Sequence, residues 1–387
     1  MAPKAVPGAG VAAIKFFITL AVVCATSLPV LAAVLPEERA DFLYHRYDGG
    51  GVEVEGPSVL VRKNVNEKFS VYGNIYQDFV TSASIDVVTS GSPYTEERNE
   101  YSAGLDFLND RTVLSLGYTQ STESDYEAQT VSFTASQEFF GDLSTITMGY
   151  ALGDDIVRDN TIEDFEESNE RKRFSLGFSQ VITRNILVST SFETVLDEGF
   201  LNNPYREIRH INGTGGDTFV DEQYPGTRNS SAFAQRGIFY IPPLDASIRL
   251  EYRRYSDSWD VKSQNFEIRY SQNLDNALTF EARARTYSQD QASFYSDLFD
   301  EAPTAGQFAA RDKELSKYSA SQIGWTLSYA FSSRFNFLNN STINLSWDHF
   351  VFEYDNFRNI SAGGTPGEEP LYDLRADVIR LYFSSFF

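Results

Sequence analysis

Residues 246–287 read ASIRLEYRRYSDSWDVKSQNFEIRYSQNLDNALTFEARARTY and contain three segments in which apolar and charged side chains alternate. Successive side chains on a β-strand point to opposite faces, so each segment predicts a strand with one apolar and one charged face. An apolar outside and a polar, water-filled interior are typical of a transmembrane β-barrel. The stretch therefore predicts an all-β fold, an antiparallel barrel whose interior carries a set of charges that we call the lumen lattice: Arg249, Glu251, Arg253, Glu267, Arg269, Glu281, Arg283 and Arg285.

Two interpretations fit the lumen lattice. Counted upward from the short turns, Arg249 and Arg269 lie low, the carboxylates lie midway, and Arg253 and Arg283 lie above. Such layers can select permeating solutes by the sign of their charge. Paired charges on neighbouring strands can also brace the inner wall, each pair contributing about 0.2–1 kcal/mol. The sequence leaves both interpretations open.

The composition excludes several classes of function. The chain has 387 residues and a net charge of −22, which argues against nucleic acid as a partner and favours large solvated loops. Aromatic residues make up 14%, as expected if rings form girdles at two membrane interfaces. No apolar run of the mature chain reaches the roughly 20 residues of a membrane-spanning helix. We expect no cofactor and no metal, and the single cysteine, Cys24, excludes a disulfide.

The N-terminus has the organisation of a secretory signal. Two lysines accompany an apolar segment, 16–31, which small residues follow. We expect residues 1–33 to be a cleaved signal peptide and residues 34–387 to form a single barrel domain. Cys24 raises the alternative of a lipoprotein, which the apolar residues on both sides of it do not favour.

Connections of two lengths join the alternating segments. The short ones fall at 109–110, 140–143, 183–185, 242–245 and 273–276, and the long ones at 80–97, 153–170, 196–230, 288–316 and 353–371. Short periplasmic turns and long extracellular loops are the outer-membrane pattern, which has an even number of strands. We expect about 16 strands if residues 37–64 form the first pair, or about 14 if they form a plug. The terminal Phe387 resembles the signal read by the barrel-assembly machinery.

Two of the long loops allow further interpretations. Residues 153–170 are rich in carboxylates and could bind calcium, but they lack EF-hand spacing, which favours a solvated acidic loop. Residues 196–230 could fold into the pore, hold lipopolysaccharide phosphates through Arg206 and Arg209, or form an ordinary surface loop.

Histidines are the only residues that suggest catalysis. His210 and His349 would lie near the outer rim, so an outer-membrane barrel enzyme is conceivable. Asp348 cannot orient His349 directly, however, because adjacent strand residues point to opposite faces. We name no catalytic residue and expect no enzyme.

Two longer motifs, at 43–64 (LYHRYDGGGVEVEGPSVLVRKN) and 82–102 (SASIDVVTSGSPYTEERNEYS), resemble those of a Gram-negative family of unknown function. FLNNPYR (200–206) and FFGDLST (139–145) match as well, so the resemblance spans the mature chain. It implies an outer-membrane barrel, and gene neighbours of such members, a small lipoprotein and a flavin-attaching transferase, imply an envelope redox context. The motif residues that we single out are Tyr44, His45, Gly49, Gly50, Gly51, Asp86, Tyr94, Glu97 and Arg98.

The sequence therefore predicts a porin-like conduit in the bacterial outer membrane, surrounded by outer-membrane lipids and lipopolysaccharide. The alternative is a barrel scaffold for an envelope partner, such as a small periplasmic lipoprotein or a redox protein. A barrel enzyme is the third and least favoured hypothesis.

Overall fold

A computed structural model describes residues 34–82, 94–213, 215–332 and 340–387. In this part of the chain, sixteen strands form one closed antiparallel barrel, as predicted. The wall strands are β1 Arg39–Gly49, β2 Val52–Asn66, β3 Phe69–Ser82, β4 Tyr94–Asn109, β5 Thr112–Thr122, β6 Tyr126–Phe139, β7 Ser144–Arg158, β8 Glu166–Thr183, β9 Ile186–Gly199, β12 Thr227–Ile241, β13 Ala246–Asp257, β14 Lys262–Asn273, β15 Leu278–Gln289, β16 Tyr318–Phe331, β17 Asn340–Arg358 and β18 Leu371–Phe386. Two further strands, β10 Glu207–Ile211 and β11 Asp217–Asp221, form a separate hairpin.

Residues 37–64 supply the first strand pair of the wall, so the plug alternative is wrong. β1 pairs with β2 on one side and closes the barrel against β18 on the other. Gly50 and Gly51 turn the chain between β1 and β2 with φ of +60° and +79°, a conformation that a residue without Cβ adopts at little cost. Gly49 lies so close to β18 that a Cβ on it would be 2.3 Å from the Cβ of Ala376.

The face of the wall that points away from the lumen is apolar, because the side chains on this face alternate with the polar ones along each strand. No helix in the described ranges is long and apolar enough to cross a membrane. Exposed apolar side chains recur on this outer face from strand to strand, among them Ile75, Leu116, Phe133, Met148, Leu176, Ile268, Ile323, Leu345 and Leu381.

The five short turns that the sequence predicts lie at one rim of the barrel, but the opposite rim also has short turns, between β1 and β2, β5 and β6, and β13 and β14. The long loop predicted at 153–170 is wrong. β7 runs to Arg158 and β8 begins at Glu166, so the connection between them consists of residues 159–165 only. The remaining residues of the predicted loop at 153–170 belong to these two strands. Outward acids of this region, such as Asp154 and Glu166, are exposed, whereas Asp155 points inward, is buried and accepts a hydrogen bond from the Tyr126 hydroxyl. The segment at 80–97 lies largely outside the described residues.

Three connections at the opposite rim pack against one another, and we call them the cap: residues 200–226, 290–317 and 359–370. Backbone hydrogen bonds join the first two, with Gln223 and Ala309 exchanging N–H···O contacts of 3.0 and 2.8 Å. Ile208 of the β10–β11 hairpin is fully buried. Of the loop predicted at 196–230, residues 200–226 therefore form part of the cap and not an ordinary surface loop, while its two ends belong to β9 and β12.

Aromatic side chains on the inner wall cover one side of the lumen beneath the cap. Tyr318, Phe352, Tyr354 and Phe357 form a buried cluster on β16 and β17, and it includes Tyr372 of β18 at its edge. A second cluster joins the wall to the cap, with Trp259 after β13 packing against Tyr224 and Phe294 at ring centroid distances of 5.4 and 5.2 Å. Aromatic burial of this kind fixes the cap on the β13–β18 side.

Candidate functional site: the charged lumen

The lumen lattice lies on the inner wall, where its side chains form an extended network that we call the ion-pair belt. The belt begins between β12 and β13, where Glu251 accepts from the Nε of Arg236 at 2.8 Å and from the Nη2 of Arg249 at 2.9 Å. One carboxylate therefore serves two guanidinium groups on neighbouring strands.

The belt continues across β14, β15 and β17. Arg269 lies 2.9 Å from Glu267 and 3.2 Å from Glu281, and Arg283 lies 3.3 Å from the same Glu281. Arg283 also pairs with Asp348 through two of its nitrogens. Acid and base thus alternate along each strand, and Glu281 is shared between Arg269 and Arg283 on neighbouring strands.

Asp348 is the most buried acid of the belt, and sequence reasoning did not assign it to the lumen. It has no solvent exposure and accepts hydrogen bonds from Arg283, Arg380 and the Nε2 of Gln322, the last at 2.8 Å. The signal was available: Asp348 has the inward parity of β17, opposite to that of its apolar neighbour Trp347.

The layering predicted for the lumen lattice is wrong in β15. Arg283 lies opposite Arg269, which lies opposite Arg249, so these three share one cross-strand row. Glu281 lies opposite Ser271, nearer the short turns. The turn between β14 and β15 pairs Asn273 with Thr279 and so sets β15 lower than counting from the sequence suggested.

The histidines of the enzyme hypothesis lie in different environments. His349 is on the outer face, where its Nδ1 lies 3.0 Å from Asp377 and its ring stacks on Trp347. His210 belongs to the hairpin of the cap. Among the described residues, no group of three or more His, Cys, Asp or Glu side chains is placed to hold a metal.

The family-motif residues divide between the two faces of the wall. His45 and Arg98 point inward and both approach Asp78, at 2.9 and 3.8 Å. Tyr44 points outward and donates to Glu55 at 2.7 Å, and Glu97, also outward, accepts from Gln77 and Asn99. Gly49, Gly50 and Gly51 form the β1–β2 turn, Tyr94 begins β4, and Asp86 lies outside the described residues.

The arginines that the sequence suggested for lipopolysaccharide are buried inside the cap. Arg206 lies 2.6 Å from Asp312, and Arg209 pairs with Asp217 and lies 2.5 Å from Glu369. Both side chains are about 5% exposed, which leaves no free guanidinium edge for a phosphate outside the protein. The lipopolysaccharide interpretation of these two residues is therefore wrong, because both guanidinium groups form ion pairs within the cap.

Beneath the cap the lumen opens into a cavity of about 680 Å³, which we call the chamber. Its walls are the inner faces of β4–β9 and β12–β15, and residues 200–205 of the cap form part of its roof. Arginines and carboxylates on both groups of strands face the chamber. Most of these charged residues were not included in the lumen lattice. They follow the same inward parity on β8 and β9, so alternation alone could have identified them.

Comparison with known proteins identifies the family. The profile of DUF3570, a family of proteins of unknown function, matches residues 86–344. The chain belongs to this family. A search of curated proteins gives no significant match.

This member of the DUF3570 family also resembles solved structures of outer-membrane barrels. One is a bacterial polysaccharide outer membrane secretin, with a TM-score of 0.50 and 7% identity over 92% of this chain and 99% of that chain. Another is CdiB from Acinetobacter baumannii, with a TM-score of 0.47 and 10% identity over 90% of this chain and 60% of that chain. A Pseudomonas aeruginosa FadL homologue is similar at a TM-score of 0.44 and 9% identity, over 94% of each chain. At such identities the likeness shows the fold alone. The protein is a β-barrel of the bacterial outer membrane.

Proposed function

We propose that this barrel is a porin-like conduit, in which small charged solutes cross the membrane along the ion-pair belt. The observation that carries the proposal is the hydration of the belt. Arg249 and Glu251 are 22% and 21% exposed, and Arg269 and Glu281 are each 23% exposed, although all four point away from the lipid-facing surface. The side chains of an ion pair in a dry core would have no solvent exposure, and such pairs are costly because both charges lose their hydration. The belt therefore borders water.

The chamber supports a path from the belt to the outer rim. The cap rests on the aromatic clusters of β13–β18, whereas the β4–β9 side of the chamber is lined by polar residues. Residues 200–205 of the cap also contact this wall, where the Asn160 N–H donates to the Tyr205 hydroxyl at 2.9 Å, so solutes would enter beside the cap and not across this contact. The cap then acts as a constriction and the chamber as a vestibule.

Conductance tests this proposal. Purified protein in planar bilayers should give stepwise current increments that grow with KCl concentration. A variant in which a short Gly-Ser linker replaces Glu207–Asp221, the cap hairpin, should conduct more than the wild type. Folding of each variant is checked by its heat-dependent mobility on gels. Folded wild type and folded hairpin deletion that are both silent would contradict a conduit.

A scaffold is the second candidate, favoured by the outer face of the β1–β2 hairpin. Arg46 lies 2.8 Å from Glu53 on this face, beside the Tyr44–Glu55 hydrogen bond, where apolar side chains would otherwise be expected. Such a surface suits a polar partner, and because the β1–β2 turn lies at the same rim as the cap, that partner would be an extracellular redox protein and not a periplasmic one. Crosslinking in native envelopes followed by purification tests it: a defined protein partner supports the scaffold, and recovery of lipid and assembly factors alone contradicts it.

A further inference from the structure

Three guanidinium groups face the chamber with one carboxylate among them. The Nε of Arg173 on β8 lies 3.8 Å from one oxygen of Glu193, and the Nη2 of Arg253 on β13 lies 3.6 Å from the other. Both distances exceed hydrogen-bond length. Glu193 therefore neutralises neither arginine fully, and both remain about one-third exposed to the chamber, at 35% and 28%.

Arg285 on β15 completes the group. Glu267 lies opposite Arg285 in register, but among the described residues no ion pair within 4 Å joins Arg285 to a carboxylate, and its partner is the amide of Asn265. With the amide oxygen turned towards Arg285, that oxygen accepts from Nε at 2.9 Å and from Nη2 at 2.7 Å. Asn265 lies opposite Arg253 in register, so it stands between the two arginines. The amide orients a guanidinium without supplying a negative charge.

Other arginines of the chamber differ in this respect. Arg171 is held by Asp197 at 2.6 Å and Arg228 by Asp257 at 2.6 Å, each within hydrogen-bond distance. The excess of positive charge is thus confined to one part of the chamber wall.

Small side chains on β12 make the arrangement possible. Glu193 lies opposite Ala232, and Arg253 lies opposite Ala234, so β12 presents only methyl groups to the lumen between them. Larger residues there would separate Glu193 from Arg253. The gap lets side chains from β8, β9 and β13 face one shared space.

We propose that Arg173, Arg253 and Arg285 form a binding site for the carboxylate or phosphate group of a solute in the lumen, and we call it the anion subsite. The inference rests on the proposed function, because it makes this site the charge-selective step of the conduit. Guanidinium groups present planar sets of N–H donors that match both oxyanions. A partly enclosed chamber also screens the attraction less than bulk water does.

The test measures block of KCl current by added inorganic phosphate and, separately, by acetate. The double variant Arg253→Gln/Arg285→Gln should raise the half-blocking concentration about tenfold, because two charge-assisted contacts are lost. Glu193→Gln should lower it, since the single competing carboxylate disappears. Arg254→Gln, at the exposed neighbouring position of β13 that lies opposite the outward Phe233, is the matched control and should change the block less than about twofold.

Titration calorimetry of inorganic phosphate with the full protein in detergent separates this inference from the conduit itself. Phosphate binding that weakens in the double variant and strengthens in Glu193→Gln supports the anion subsite even if the wild type carries no current. A conducting barrel whose phosphate affinity and block are equal in wild type, double variant and Glu193→Gln would overturn the subsite while leaving the conduit intact.

Discussion

The Nε2 of His45 lies 2.9 Å from Oδ1 of Asp78, although the strand β2 runs between them. The β2 residue opposite His45 is Gly56, and its missing side chain leaves the space that the imidazole crosses. A Cβ on Gly56 would lie 1.8 Å from the carbonyl oxygen of Gln77. Arg98 approaches Asp78 from β4 on the other side, so two residues of the family motif meet at one buried carboxylate.

Removing that carboxylate should destabilise the barrel. Asp78 has no solvent exposure, and Asp78→Ala leaves His45 and Arg98 without their common partner. We expect a loss of about 3 kcal/mol, typical of breaking a buried pair from one side. Urea unfolding in detergent measures it. Glu97→Ala, which alters an exposed outward residue of the same hairpin, should leave the unfolding midpoint unchanged, and an equal loss in both variants would contradict the role given to Asp78.

Neutralising the buried acid of the belt should change ion selectivity. Asp348→Asn leaves Arg283 and Arg380 without their shared counter-charge, so the lumen gains positive charge. We expect the chloride-to-potassium permeability ratio to rise about two- to fivefold, because one unit charge at about 4 Å contributes about 1 kcal/mol in water. Reversal potentials in a KCl gradient measure the ratio. Asp377→Asn, on the outer face, is the control, and a shift in that variant alone would refute the assignment of faces.

The cap should respond to pH through Glu222. The pKa of Glu222 is raised from its ordinary 4.5 to about 7, first by burial and then by the nearby Asp312 carboxylate, whereas Arg206 opposes both. The Tyr224 hydroxyl and the Arg311 N–H each donate to Glu222 at 2.6 Å. Because the packed cap favours the protonated carboxyl, this group's contribution to packing is greatest below about pH 4.5 and is lost as pH rises towards 7.

Conductance, corrected for buffer conductivity, should therefore be larger at pH 8 than at pH 5.5. Glu222→Gln should remove this difference and keep the low value throughout. Glu301→Gln, at an exposed position of the cap, should behave like the wild type. A wild-type conductance that rises on acidification would show that the sign is wrong.

A disulfide across the cap should hold the conductance low. Gln223 and Ala309 exchange two backbone hydrogen bonds, a pairing in which the Cα atoms lie about 5.5 Å apart and a disulfide fits. In Gln223→Cys/Ala309→Cys at pH 8, oxidation should lower the conductance to its pH 5.5 value, and reduction should restore it. The two single-cysteine variants serve as controls. Equal conductance before and after reduction of the double variant would argue against a moving cap.

Alternation along the strands was enough to predict the barrel and the inward face of 246–287, because side-chain parity is a local property. It left the strand number at about 16 or about 14, because residues 37–64 could form a strand pair or a plug. Register was harder: Glu281 was misplaced because the β14–β15 turn, and not strand length, fixes which residues face each other. The same alternation places Asp348 and Arg173 on the inward face, so applying it to every strand would have identified both as lumen residues.

The cap lay beyond sequence reasoning for a different reason. Arg206 and Arg209 sit in a polar segment whose partners, Asp312 and Glu369, are remote in the chain. Ion pairs between residues far apart in the chain leave no periodic pattern in the sequence. The polar composition of the loop therefore predicted exposed arginines, whereas both are buried in the structure. The His45–Asp78 contact was hidden in the same way, since it depends on the gap at Gly56.

Chemical modification of two neighbouring residues tests most directly whether current flows through the lumen. Arg253 faces the chamber, and Tyr252 is exposed on the outer face. In planar bilayers, an anionic, membrane-impermeant methanethiosulfonate reagent should reduce the current of Arg253→Cys in discrete steps and leave Tyr252→Cys and the wild type unaffected. Current that is insensitive to the reagent in Arg253→Cys, or that falls equally in Tyr252→Cys, would contradict a hydrated path along this wall.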